Sequence, residues 1–246
     1  MARYFIQVFY KGTNYAGFQI QQNANSIQAE VQKALKIFFK ADFELTCSSR
    51  TDAGVHALNN YFHFDSDDMP VDNQLERAVY SLNAILPQDI VVKEIFKVPA
   101  DHHCRFTAIA REYSYNLYQQ KNPFLRETAF FYPFKLDLEK LNEAANIIKE
   151  YADFTTFSKR NTQVKTFNCT IFSSQWKTQE ELIIYEVKAN RFLRGMVRGL
   201  VGTMLRVGNS KISCDEFRKI IDSKNCSQAD FSVPAHGLFL MDVIYP

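Results

Sequence analysis

The chain has 246 residues, 46% of them hydrophobic, and a formal net charge of +2. That is length for one large domain or two modest ones with a sizeable core, and the near-neutral balance excludes a chain that holds polyanions through its overall charge. Five widely spaced cysteines without a C-x-x-C give no disulfide framework, the opening lacks the apolar core of a signal peptide, and no apolar run approaches the roughly 20 residues of a membrane span.

Residues 4–10 alternate apolar and polar side chains and predict a strand. A polar, glycine-containing stretch follows over 11–25. Ser26 then stands where it can cap a helix, because Ile27, Val31, Leu35 and Phe38 recur at helical spacing to about Lys40. Residues 43–47 read as a strand, 48–57 as a small-residue polar loop, and 60–64 as the next strand. A second helix over 75–86 is stopped by Pro87, and 90–98 returns to strand. The pattern breaks over 98–104, at Pro99 and a His-rich patch, which sets the expected boundary between halves 1–103 and 104–246. Residues 106–118 then read as a long strand, 138–151 as a helix, and 164–176 and 181–189 as paired strands. Residues 191–207 predict a strong helix, 215–221 a short one, and 238–245 a closing strand. Strands in adjacent pairs with interspersed helices define an α+β chain built on antiparallel sheet.

The least ordinary segment is Ser48-Ser49-Arg50-Thr51-Asp52-Ala53-Gly54-Val55-His56-Ala57. Small residues let a backbone approach a ligand, and Gly54 is free to take a positive φ. An arginine two residues from Asp52 would keep its carboxylate ionised, as a nucleophile or base requires; equally, Asp52 would cap a turn and Arg50 tie the loop down. His56 invites acid–base work or an ordinary hydrogen bond. Arg191, Arg194 and Arg198, at i, i+3 and i+7, would share one helix face as a phosphate-binding stripe or a solvated one. Between Lys188 and Lys219 eight basic residues face two acidic ones, so the charge is local. His102 and Cys104 would share a face of an extended chain, with no second cluster at zinc spacing. The 22 Phe and 12 Tyr supply core packing or stacking surfaces for bases. Neither a Walker loop nor a G-x-G-x-x-G is present.

The run Arg50 to Ala57 resembles the R-T-D-A-G-V-H-A signature of the tRNA pseudouridine synthase A family. Further blocks follow in order: Tyr10-Lys11-Gly12-Thr13-Asn14-Tyr15-Ala16-Gly17-Phe18-Gln19-Ile20-Gln21, Cys104-Arg105-Phe106-Thr107-Ala108 with Arg111-Glu112-Tyr113-Ser114-Tyr115, Phe192 to Thr203, and Pro234-Ala235-His236-Gly237-Leu238. The resemblance implies two similar α+β halves around a central antiparallel sheet flanked by helices, the pseudouridine synthase fold. It implies isomerisation of uridine in the anticodon stem-loop of tRNA, typically at positions 38, 39 and 40, by a homodimer with no organic cofactor and no metal; the cytoplasmic location is read from cysteines without a disulfide framework and the expectation of no membrane from the missing apolar run. It makes Asp52 the nucleophile, attacking C6 of the base or C1′ of the ribose. Tyr113 would pack against the target uracil, Arg198 would pair with the aspartate, and Arg50 would help hold the flipped nucleotide. Lys11, Gln19, Arg105, Arg191 and Arg194 complete the expected substrate contacts.

The chain departs from the family pattern at Ser49 and Cys104, where Gly and Ala are usual, and at Gly195 and Gly199, which replace larger residues and would loosen the helix or admit RNA. Three rival readings stand beside the isomerase of tRNA, one of them pseudouridylation of a different RNA. Another is a tRNA-binding module without chemistry. The third is a hydrolase with a second carboxylate about 5 to 9.5 Å from the first, for which Asp65, Asp67 and Asp68 are the candidates.

Overall fold

The computed structural model describes residues 1–67, 69, 72–160 and 164–246; Asp68 lies outside the described residues. In the first strand, β1 (Ala2–Tyr10), alternation does what the sequence asks: Tyr4, Ile6, Val8 and Tyr10 are buried on one face, and Phe5 on the other. Helix α1 (Ile27–Phe39) starts at Ser26, whose Oγ accepts the Ala29 N–H at 3.3 Å, and ends at Lys40 in the left-handed region, φ 55°. Ile27, Val31, Ala34 and Leu35 form its buried stripe.

The expected strand over 43–47 shrinks to β2 (Thr46–Cys47), because side chains of α1 take its backbone acceptors. Gln32 Nε2 donates to Phe43 O at 2.8 Å and Gln28 Nε2 to Leu45 O at 2.9 Å. Strand β3 (His56–Ser66) is longer than 60–64. Helix α2 (Asp72–Ile85) and strand β4 (Ile90–Val98) follow. The long strand expected from 106 begins later, as β5 (Ala110–Tyr118). Residues 103–107 instead turn on themselves: His103 N–H donates to Thr107 Oγ1 at 2.8 Å, and His103 O accepts the N–H groups of Phe106 and Thr107.

Next come β6 (Phe130–Phe131), α3 (Leu138–Ile147), β7 (Ile171–Gln179), β8 (Leu182–Ala189), α4 (Met196–Gly208), α5 (Cys214–Asp222) and β9 (Leu238–Ile244). Ser213 and Glu216 form a reciprocal capping box at the start of α5.

The chain divides into two compact units, Met1–Ile109 with Phe239–Pro246, and Ala110–Leu238. The first unit therefore runs past residue 103 and also takes in the end of the chain. The reason is pairing: Phe239 and Leu240 of β9 lie parallel to His56 and Ala57 of β3, and Tyr245 packs edge-on against Phe5 and Tyr61. In this unit β1 lies between β4 and β3, antiparallel to both, with Ile6 opposite Ile95 and Phe62. Helix α2 packs on β4 and α1. In the second unit β8 lies between β5 and β7, antiparallel to both, with Tyr185 opposite Tyr115 and Trp176. Helix α3 packs on β7, α4 and α5. Each unit is thus α+β, with mostly antiparallel sheet flanked by helices, the class the element order pointed to.

Much of the aromatic load is core. Phe18 stacks between Tyr10 and Phe62, at 5.4 and 4.5 Å between centroids, and Phe154, Phe157 and Phe217 form a buried chain in the second unit. None of the five cysteines forms a disulfide, and among the described residues no helix is long and apolar enough to cross a membrane.

Candidate active site

The Asp52 loop is held from beneath by the polar segment that follows β1. Gly12 is buried, and a Cβ on it would lie 2.0 Å from Val55 O, so only a glycine permits this contact. Gly17 has φ +122°, and a Cβ there would meet Thr51 O at 3.1 Å. At these two points the segment donates to the loop: Gly12 N–H to His56 Nδ1 at 3.0 Å, and Phe18 N–H, next to Gly17, to Thr51 O at 3.1 Å.

A buried polar network completes the clamp. The Tyr10 and Thr51 hydroxyls are 2.8 Å apart. Asn60 Nδ2 donates to Tyr10 Oη and to Ser49 O, and Ser48 Oγ donates to Asn60 Oδ1 at 2.7 Å. At the tip, Val55 N–H donates to Asp52 O at 3.2 Å and Gly54 takes φ +78°, closing a tight turn. Thr51 and Val55 are buried on either side of Asp52, which is itself only half-buried. A rigid backbone thus presents one carboxylate at its crest.

The neighbours differ from what sequence spacing implies. Arg50 is exposed, and among the described residues no hydrogen bond or ion pair joins it to Asp52. His56 is buried, with Nδ1 accepting from Gly12 and its ring 4.6 Å from that of Phe239, so it buttresses the loop rather than facing solvent. Lys11 and Gln19 are exposed at the two ends of the clamping segment. Arg105 is exposed on the 103–107 turn, its guanidinium 5.6 Å over the Phe106 ring. Cys104 does not share a metal-binding face with His102; its buried thiol meets His63 of β3, Sγ to Nδ1 at 3.1 Å.

The rival carboxylates are remote or engaged. Asp65 stands nine residues beyond the start of β3, roughly 30 Å along the strand at about 3.3 Å per residue. It is bound through both oxygens by Arg3, at 2.8 Å each, and Asp67 pairs with the N-terminal amine. Arg3 holds the Asp65 carboxyl below its usual range. A glycosidase-like pair with Asp52 would need a gap of about 5 to 9.5 Å.

In the second unit, Tyr113 lies in β5, buried, opposite Val187, with its ring edge-on to Phe192 at 5.0 Å. The helix expected from 191 begins only at Met196, because Gly195 takes φ +76° and stops the chain from winding. Arg191 and Arg194 therefore lie in the approach to α4, and the three arginines form no single helical stripe. Arg194 O instead accepts the Lys159 N–H at 3.0 Å. Arg198 is in the first turn of α4, half-buried, and Nε donates to Val233 O at 2.8 Å. Burial raises the Tyr115 hydroxyl far above its usual range against a smaller opposing pull from Arg198, and that hydroxyl donates to Pro234 O at 2.7 Å.

Gly199 and Gly202 of α4 each sit against a protein neighbour. A Cβ on Gly199 would lie 2.7 Å from the Phe231 ring, and one on Gly202 2.2 Å from Asp230 O. Sequence reasoning also passed over a recess of about 340 Å³ whose lining includes Lys159, Arg160 and Lys224; these basic residues are scattered along the chain, so no run of charge marks them.

Comparison with known proteins gives the same answer across the whole length. A model of the family described as tRNA pseudouridine synthase matches residues 6–107 and 151–246. The chain is 44% identical over 246 residues to a protein of Azobacteroides pseudotrichonymphae named tRNA pseudouridine synthase A, covering 100% of this chain and 98% of the relative. It is 45% identical over 245 residues to one of that name from Bacteroides fragilis, covering 99% and 96%, and 38% identical over 247 residues to one from Anoxybacillus flavithermus, covering 100% and 99%. The chain belongs to the tRNA pseudouridine synthase family.

Proposed function

We propose that this chain is an isomerase that converts uridine to pseudouridine in the anticodon stem-loop of tRNA, typically at positions 38, 39 and 40, with Asp52 as nucleophile. Family membership carries the reaction class. The observation that carries the assignment of Asp52 is its place at the crest of a glycine-clamped loop, half-buried in a turn anchored by buried Thr51 and Val55. The target base leaves its stack, at a cost of a few kcal/mol. The carboxylate adds to C6 or C1′, the C1′–N1 bond breaks, and the uracil turns. A C5–C1′ bond then forms as C5 gives up its proton and N1 gains one, and the carboxylate leaves. No electrons are transferred overall, so the step needs no redox partner.

Tyr113 is assigned to pack against the uracil and Arg198 to balance the charge of Asp52; both assignments rest on the family resemblance. Arg50, exposed and unpaired among the described residues, is available to a phosphate or ribose. Lys11, Gln19, Arg105, Arg191 and Arg194 are the further contacts to tRNA, and the working unit is a cytoplasmic homodimer. The test is incubation with unmodified tRNA carrying uridines at 38 to 40, beside the Asp52→Asn variant, with pseudouridine mapped by carbodiimide labelling and reverse transcription. Product from the wild type alone is the expected result. Product from Asp52→Asn at a comparable rate removes Asp52 as nucleophile, and release of free uracil replaces the isomerase by a hydrolase.

A further inference from the structure

Behind the exposed Arg105–Phe106 turn, three soft or borderline ligands from separate parts of the first unit converge. His63 comes from β3, and His103 and Cys104 from the start of the turn. One ligand atom from each lies within 4.8 Å of the other two. We propose that His63, His103 and Cys104 form a binding site for a thiophilic divalent cation of the zinc type, separate from the isomerisation chemistry.

The donor set suits such an ion. Zinc takes thiolate at about 2.3 Å and imidazole at about 2.0–2.1 Å, and at tetrahedral angles such ligands lie roughly 3.5 Å from one another. His63 Nδ1 and Cys104 Sγ are already 3.1 Å apart, so the ion needs a few tenths of an ångström of adjustment along that edge. A fully buried thiol and a nearly buried imidazole form the inner wall, while the partly exposed His103 forms the outer one and gives the ion a way in.

The surroundings hold the ligands in place. The Phe5 ring stacks on His63 at 6.2 Å, and Phe106 covers His103 at 4.3 Å. Arg105 N–H donates to His103 Nδ1 at 3.1 Å and Cys104 N–H to His63 Nδ1 at 3.3 Å, so a cation taken up by these rings must displace those bonds or switch the ring tautomer. Cys104 Sγ also reaches Thr46 O at 3.2 Å, so a thiol proton has acceptors on either side until a metal displaces it. Binding is a simple exchange: the Cys104 thiol releases its proton to solvent, the thiolate and two neutral imidazoles bind the cation, and water takes the fourth position. No electron is transferred. The consequence is mechanical, because the ion ties the turn that carries Arg105 to the long strand β3.

Sequence spacing alone does not show this site, because His63 is forty residues away from its partners and His102, the residue that spacing favours, is replaced by His103. Cys104→Ala keeps the β-carbon of this buried side chain and removes only the thiol.

Metal-stripped protein, without tRNA, is titrated with cobalt(II) and read by its thiolate-to-cobalt charge-transfer absorption and visible tetrahedral bands. The expected result is one equivalent bound with both features. Cys104→Ala should lose the charge-transfer band, and His103→Gln should weaken binding about tenfold or more. Both variants should keep the wild-type circular dichroism. Absence of a thiolate band in the wild type, or its persistence in Cys104→Ala from the other four cysteines, overturns the proposal. Because the readout needs no tRNA and no turnover, this outcome is independent of whether the isomerase reading stands.

Discussion

Replacing Gly12 by alanine tests whether the segment after β1 sets the catalytic loop. The new methyl would lie 2.0 Å from Val55 O, a backbone atom that cannot swing aside as a side chain would. Relief requires the 11–18 segment and the 51–55 turn to separate, which also breaks the 3.0 Å bond from Gly12 N–H to buried His56 Nδ1. Overpacking costs about 1–3 kcal/mol, and a buried acceptor left unpaired costs about 1–3 kcal/mol. A total near 3 kcal/mol lowers the thermal midpoint of a chain this size by roughly 6 to 12 °C. Catalysis should suffer more than folding, since a misplacement of about 1 Å costs roughly 100-fold in rate. Formation of the C5–C1′ bond expels the hydrogen on C5, so tritium release from tRNA labelled at C5 of uridine reads the chemical step in a single turnover. The expected outcome at 20 °C is a folded protein that still binds tRNA but releases tritium about 100-fold more slowly. A folded Gly12→Ala variant with the wild-type rate would refute the clamp, because Asp52 would then hold its position without it.

Tyr113→Phe keeps the edge-on contact with Phe192, whereas Tyr113→Leu loses an aromatic pair worth about 0.5–1.5 kcal/mol. Thermal midpoints should separate the two variants, while single-turnover rates should fall in both if the hydroxyl takes part. Arg191→Ala and Arg194→Ala should each lower the slope of log Kd for tRNA against log salt by about 0.7–0.9 if each meets one phosphate, measured by filter binding; an unchanged slope assigns them to solvent. Ser213→Ala removes the cap of α5 and should cost about 1 kcal/mol at neutral pH. Hydrogen bonds from the Ser213 N–H and hydroxyl depress the Glu216 carboxyl below its usual range. The stability it adds is therefore present above the ordinary carboxyl value near about 4.3 and is lost as pH falls through the depressed one. The gap in midpoint between wild type and Ser213→Ala should narrow from pH 7 to pH 3.

Local signals were legible wherever one residue type did one job. Ser26 caps α1, β4 spans Ile90–Val98 as expected, and Pro87 follows α2 closely. The loop around Asp52 stood out through its small residues. What it rests on did not, because Gly12, Gly17, Tyr10 and Asn60 act through contacts made only after β1 and β3 pair. The arginine helix differs from its sequence pattern for the opposite reason. Periodicity from 191 is helical on paper, but a single glycine at φ +76° outweighs three well-spaced arginines, since periodicity reports a face only after the backbone has wound. The shortened strand at 43–47 is a competition: glutamine amides of α1 reached the carbonyls first.

Ser49 is where the loop's packing and its chemistry can be separated. Its Oγ is buried and has no hydrogen-bond partner among the described residues, although its backbone carbonyl accepts from Asn60 at 3.1 Å. A buried hydroxyl left unpaired costs about 1–3 kcal/mol. Ser49→Ala keeps the β-carbon, and with it the backbone restriction a glycine would give up, while it removes the unpaired oxygen. The variant should therefore be more stable than the wild type by about 1–2 kcal/mol, with the polar network below the loop intact and the single-turnover rate unchanged. Ser49→Gly should gain less, because the freed backbone costs about 0.5–1 kcal/mol. The ordering alanine, then glycine, then serine in thermal midpoint is what distinguishes this account. Should serine prove the most stable of the three, the hydroxyl has a bound water or another partner in solution, and the loop before Arg50 is held by that bond as well as by the glycine clamp.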